Sequence, residues 1–116
     1  MFCYNNPMNK DELIKFCLLN SDSILTYPFS DKKYDNLPVI RHKSNNKWFA
    51  LIFLQDNILY VNLKCNPIDA EILRDNHPYI TPAWHMNKSH WNKVDVNRAP
   101  KKLLKNLIQE SFNLTK

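Results

Sequence analysis

Apolar residues along this chain of 116 recur in two rhythms, one of three to four residues and one of two or fewer. The switches between them mark out the elements. Leu13, Ile14, Phe16, Cys17 and Leu18 form a helical stripe. It is preceded by Asn9 as a cap and by Glu12 three residues on, so the spacing predicts a helix from Asn9 to about Asn20. Ile24 to Phe29 reads as extended, since Pro28 blocks a helix there. Val39 to His42 is a short strand, Lys43 to Asn46 a polar turn, and Lys47 to Leu54 a near-continuous apolar run. Such a run suits a central strand buried on both faces. Asp56-Asn57 is a two-residue hairpin turn, and Ile58 to Lys64 returns with Leu59, Val61 and Leu63 on one face.

Asn66-Pro67 opens a second helix, with Asn as cap and Pro at the first helical position. It runs to about Asn76, with Ile68, Ile72 and Leu73 as its apolar residues, and Pro78 stops it. Tyr79 to Met86 is extended, Asn87 to Ser89 a turn and His90 to Val96 a strand. Pro100 opens a last helix with an amphipathic stripe of Leu103, Leu104, Leu107, Ile108, Ser111 and Phe112. The order is helix, three strands, helix, two strands, helix. It predicts an α+β domain, an antiparallel sheet with helices packed on one face.

Length and composition keep this picture to one domain over residues 1–116, with residues 1–8 a loose N-terminal segment. Apolar content of 44% and charged content of 23% are those of a globular chain. No apolar run reaches the length of a membrane span, and the first residues lack the character of a signal peptide, so a cytoplasmic protein is expected. Cys3, Cys17 and Cys65 are widely spaced and odd in number, which predicts free thiols that pack as small apolar groups. Glycine is absent, where about eight would be usual at ~7%. Glycine-rich phosphate loops are thereby excluded. Turns of positive φ must use Asn or Asp, as in Asn45-Asn46 and Asp56-Asn57.

The densest chemistry lies in Pro82-Ala83-Trp84-His85-Met86-Asn87-Lys88-Ser89-His90-Trp91. This string, with Tyr27-Pro28-Phe29, Lys47-Trp48-Phe49-Ala50-Leu51-Ile52, Val61-Asn62-Leu63-Lys64-Cys65 and Leu73-Arg74, resembles the YjbR/MmcQ family of small bacterial proteins. The resemblance runs from about Leu13 to Phe112. It implies a CyaY-like two-layer fold, a curved antiparallel sheet backed by helices. It also implies DNA binding through a double-wing surface, and one branch is associated with mitomycin resistance clusters. The family pattern carries a Gly after the strand that follows the Trp. Here that stretch is Asp95-Val96-Asn97-Arg98-Ala99-Pro100, so Asn97 or Arg98 is expected to make the turn.

The net charge of +5 is compatible with a phosphate-bearing partner. Arg41, His42, Lys43 and Lys47 surround one predicted hairpin tip; Lys88 and Lys93 flank the motif turn, and Arg98 follows it. The expected contacts to double-stranded DNA are Arg41, Lys43, Lys47, Lys88, Lys93 and Arg98. The plainer reading makes them solvated cations on turns. A second hypothesis is a cleft for a small aromatic ligand at Trp84, His85, Asn87, Lys88, His90 and Trp91. Against it, Trp91 is a packing residue beneath the last helix, and the histidines serve to pin the motif turn. His77, His85 and His90 lack the acids and spacing of a metal site, and no catalytic constellation stands out, so no metal, cofactor or enzymatic activity is expected.

Overall fold

The computed structural model describes residues 7–83 and 86–116; Trp84 and His85 of the motif, and Cys3 near the N-terminus, lie outside the described residues. The elements in chain order are α1 (Lys10–Cys17), β1 (Ser23–Thr26), β2 (Val39–His42), β3 (Trp48–Gln55), β4 (Ile58–Lys64), α2 (Pro67–Asn76), β5 (Ile80–Pro82), β6 (Trp91–Asp95) and α3 (Lys101–Leu114). The six strands form one sheet in the order β1-β2-β3-β4-β6-β5, and every pair is antiparallel. The two-layer α+β architecture expected from the pattern is present. The extended stretch after α1 is a full strand, with Ser23 opposite His42 and Thr26 opposite Val39. No helix among the described residues is long and apolar enough to cross a membrane.

Local signals explain the element boundaries. The Asn9 side chain accepts from the Glu12 N–H at 2.9 Å, and the Glu12 carboxylate accepts from the Asn9 N–H at 3.0 Å, closing a capping box. The Asn66 side chain caps α2 through the Ile68 N–H at 3.0 Å. With no glycine to use, the two hairpins place Asn46 at φ 61°, Asp56 at 53° and Asn57 at 66°. Asn97 and Arg98 make the turn after β6, as expected, and do so without positive φ. The turn closes through the Arg98 and Ala99 N–H groups onto the Asp95 carbonyl at 3.2 and 3.1 Å. Asn97 also grips the chain start, accepting from the Met8 N–H at 2.7 Å and donating to its carbonyl at 3.0 Å.

The main core lies between the sheet and the helices. Leu13, Ile14 and Cys17 of α1 and Leu104, Ile108 and Phe112 of α3 meet Ile40, Ile52, Leu59, Val61, Leu63 and Val94. Strand β3 carries one extra residue against β2, since Ile40 pairs with Ala50 and Arg41 with Trp48. The bulge turns Phe49 and Ala50 both toward the helices. Ser111, fully buried, serves the backbone there: its hydroxyl donates to the Phe49 carbonyl at 2.6 Å and accepts from the Lys64 N–H at 2.8 Å. Beyond the bulge, Leu51 and Phe53 join Val39 in a second cluster on the other face, packed with Phe29, Leu37, Trp48, Tyr60 and Met86.

Helix α2 runs as expected from Pro67 to Asn76 and turns its two isoleucines to solvent. Ile68 and Ile72 are 72% and 52% exposed, and the helix seats itself through buried Ala70 and half-buried Leu73. A small residue at the contact lets the backbone approach the sheet, which rotates the two isoleucines outward.

Candidate nucleic-acid interface

Strand periodicity sorts the charges of the sheet. Within the six strands the charged residues are Arg41, Lys64, Lys93 and Asp95, apart from the histidine His42. Residues directly opposite each other share a face, so Asn62 with Lys93 and Tyr60 with Asp95 place these side chains together. Leu63 and Val61 point the other way, into the helix-covered core. All four charges therefore stand on the helix-free face.

The three cations there each lie over an aromatic ring. Arg41 Cζ is 5.6 Å from the Trp48 ring centre, Lys93 Nζ 4.5 Å from that of Tyr60, and Lys64 Nζ 5.9 Å from that of Trp91. Arg41 Nε donates to Thr26 Oγ1 at 3.0 Å and Lys93 Nζ to Gln55 Oε1 at 3.4 Å. Asp95 is buried, whereas Arg41, Lys64 and Lys93 keep partial access to solvent. Trp48 packs edge-on against Phe29 at 5.6 Å, which draws the 27–38 segment over this face. Met86 packs on the same second cluster, so the motif loop approaches the same side.

Lys43 and Lys47 are exposed in the turn between β2 and β3, and Lys88 is exposed in the turn before β6. The register puts both turns at one end of the sheet, where β4 also finishes. Each turn is braced. Asn45 Nδ2 donates to the Thr115 carbonyl at 2.9 Å, and Asn45 Oδ1 accepts from the Lys47 N–H at 2.8 Å. In the motif turn Asn87 Oδ1 accepts from the Ser89 N–H at 2.9 Å and the Asn87 carbonyl from the His90 N–H at 3.1 Å. The His90 carbonyl accepts from the Cys65 N–H at 2.8 Å. Arg74 Nη1 reaches across from α2 to the Lys88 carbonyl at 3.1 Å and to Asn92 Oδ1 at 2.8 Å. This bracing role of Arg74 is not legible in the sequence, because the contact joins residues 14 apart in the chain.

Other expected site residues are dispersed. Arg98 follows β6 and sits at the opposite end of the sheet from Lys43, Lys47 and Lys88. Arg41 is on the helix-free face of β2, opposite Trp48 and next to the hairpin turn. His42 is fully buried and belongs to the core. Trp91 is 9% exposed. It packs on the helix-free face, opposite to the one beneath α3, because its partner Lys64 is there. Asn87, Lys88 and His90 are exposed.

Titratable chemistry is modest. Asp22 accepts from the Ser44 hydroxyl at 2.7 Å and its N–H at 3.1 Å, and lies 3.3 Å from His42 Nδ1. The Ser44 hydroxyl is the largest cause holding the Asp22 carboxyl below its ordinary value; His42 adds to it and partial burial opposes. Burial pushes the Cys17 thiol up to about 12. The Cys65 thiol is also raised, by burial first and then by the Asp69 and Glu110 carboxylates. Both thiols are free, and among the described residues no group of His, Cys, Asp and Glu could hold a metal ion.

Known proteins are similar to this chain in sequence and fold. The YjbR family model matches residues 23–114. YyaQ, an uncharacterized protein of Bacillus subtilis, is 38% identical over 104 residues, covering 78% of this chain and 83% of YyaQ. YjbR of Escherichia coli is 26% identical over 106 residues, covering 90% of this chain and 85% of its own. The crystal structure of a Pseudomonas syringae protein superposes with a TM-score of 0.81 at 32% identity, covering 94% of this chain and all (100%) of that one. One from Deinococcus radiodurans gives 0.75 at 34% identity, covering 90% and 75%. The match spans the sheet, α2, the motif turn and all of α3, and on it this chain belongs to the YjbR family.

Proposed function

We propose that the protein binds double-stranded DNA through phosphate contacts at the helix-free face of its sheet and the adjoining end. One observation carries this reading: the strand cations Arg41, Lys64 and Lys93 all stand on that face, each over an aromatic ring. The rings hold the side chains extended and lower the entropy lost when they meet a phosphate. Lys43, Lys47 and Lys88 continue the positive surface at one end, on turns held by side-chain hydrogen bonds. Phosphate contact of this kind is independent of base sequence.

Fluorescence anisotropy with a labelled duplex tests the reading. Four to six phosphate contacts correspond to a log–log salt slope of roughly −4 to −5, or about 500-fold weaker binding between roughly 50 and 200 mM salt. No binding at the lower salt, or binding insensitive to salt, rules the proposal out. The alternative of a small aromatic ligand at the motif has less support. It needs an accessible Trp91, which is buried, and its other ring, Trp84, lies outside the described residues.

A further inference from the structure

We propose that the cavity between the 27–38 segment and the start of α1 binds a small aromatic anion, a ring of one or two cycles bearing a carboxylate, sulfonate or phosphate. The site opens beside Leu54, at the far end of β3 from Lys47. Its volume is about 290 Å³. A dry cavity of about 150 Å³ takes benzene, so there is room for a fused pair of rings or for one ring and its acid group.

The lining suits that chemistry. Tyr34, Leu37, Phe53 and Leu54 supply the apolar walls, and Lys10 and Lys33 supply the charge. Leu54 is 57% exposed, so a bound ring would cover apolar surface that now faces water. Lys33 Nζ lies 5.4 Å from the centre of the Tyr34 ring, which places a cation beside an aromatic wall. Among the described residues no carboxylate lines the cavity. Asp31, the acid two residues before Lys33, is turned to the loop backbone, where Oδ1 accepts from the Lys33 N–H at 2.9 Å.

The cavity is preformed. The Leu37 N–H donates to the Tyr34 carbonyl at 3.1 Å and the Tyr34 N–H to the Asp31 carbonyl at 2.8 Å. Phe29 meets Tyr34 edge-on at 6.4 Å and anchors the segment to Trp48. The Ile52 N–H donates to the Pro38 carbonyl at 3.0 Å, fixing the far wall to β3. A site already ordered loses little entropy when the ligand arrives.

An amide NMR titration of the full chain with naphthalene-2-carboxylate, and with the neutral naphthalene-2-methanol, tests the assignment. The carboxylate should give saturable shifts at Tyr34, Leu37 and Leu54, with the alcohol at least about fivefold weaker. The pair K10E/K33E should weaken the carboxylate by about fivefold or more and leave the alcohol unchanged, while L54D should weaken both. The proposal is overturned by an absence of saturable shifts up to about 5 mM, by equal affinity for acid and alcohol, or by shifts confined to other surfaces.

Discussion

The imidazole of His42 lies on the ring of Phe112, with 4.2 Å between centroids and 29° between planes. Phe49 meets both rings edge-on, at 5.4 Å from His42 and 5.1 Å from Phe112. The three rings tie β2 and the bulge of β3 to the last turn of α3. Thr115 completes the tie. Its hydroxyl donates to the Ser111 carbonyl at 2.8 Å and lies 2.8 Å from His42 Nε2.

Removing that ring should loosen the end of α3. His42→Ala leaves a cavity among Phe49 and Phe112 and strips Thr115 and Asp22 of a partner, for an expected loss of about 3 kcal/mol. Thr115→Val keeps the volume and should cost about 1 to 2 kcal/mol. Urea denaturation followed by circular dichroism measures both. A His42→Ala variant within about 0.5 kcal/mol of the parent contradicts the packing account.

Asp22 sets an acid-side dependence. Its carboxyl is lowered from 3.8 in the fold, so the ionised form is the one the native state favours. The stabilisation is fully present above 3.8 and is lost as pH falls below it through the folded value. The stability gap between the parent and Asp22→Asn should hold steady down to about pH 5 and narrow below it. Thermal melts across that range test this, and a gap that widens on acidification reverses the sign.

The Asp56-Asn57 hairpin holds two non-glycine residues in left-handed backbone. Asn57→Gly should relieve that strain and raise stability by about 0.5 to 1 kcal/mol, and Asn57→Val should lower it by about 1 to 2 kcal/mol. A melting temperature unchanged in both variants contradicts the turn geometry.

Charge reversal separates the two ends of the sheet. Lys47→Glu and Lys88→Glu should each weaken duplex binding and reduce the salt slope by about 1 or more. Arg98→Glu, at the opposite end, should change it far less. Equal losses from all three point to a general effect of net charge with no localised surface.

The buried thiols should resist alkylation. Thiolate is the reactive form, and Cys17 at about 12 holds almost none near neutral pH. Mass spectrometry after iodoacetamide treatment should find Cys17 and Cys65 unmodified in the native protein and modified in urea. Rapid native labelling of Cys17 would place it at the surface.

Much of this protein was determined by short stretches of sequence acting alone. Asn9 with Glu12, Asn66 with Pro67, and Asp56 with Asn57 place their caps and turn because each is a contact across two or three residues. The apolar rhythm likewise marks α1, α3 and the β3–β4 hairpin, and the motif string carries the family. What the tertiary structure alone decided depends on which distant strands become neighbours. Trp91 packs on the helix-free face because β6 pairs with β4 in one register. A single extra residue in β3 turns Phe49 toward His42 and Phe112, where β periodicity by itself would point it away. His42 looks like one more cation at a hairpin tip until Phe112 and Thr115, some seventy residues on, close over it. Arg98 and Lys88 are near in sequence yet stand at opposite ends of the sheet, because β6 runs its full length between them.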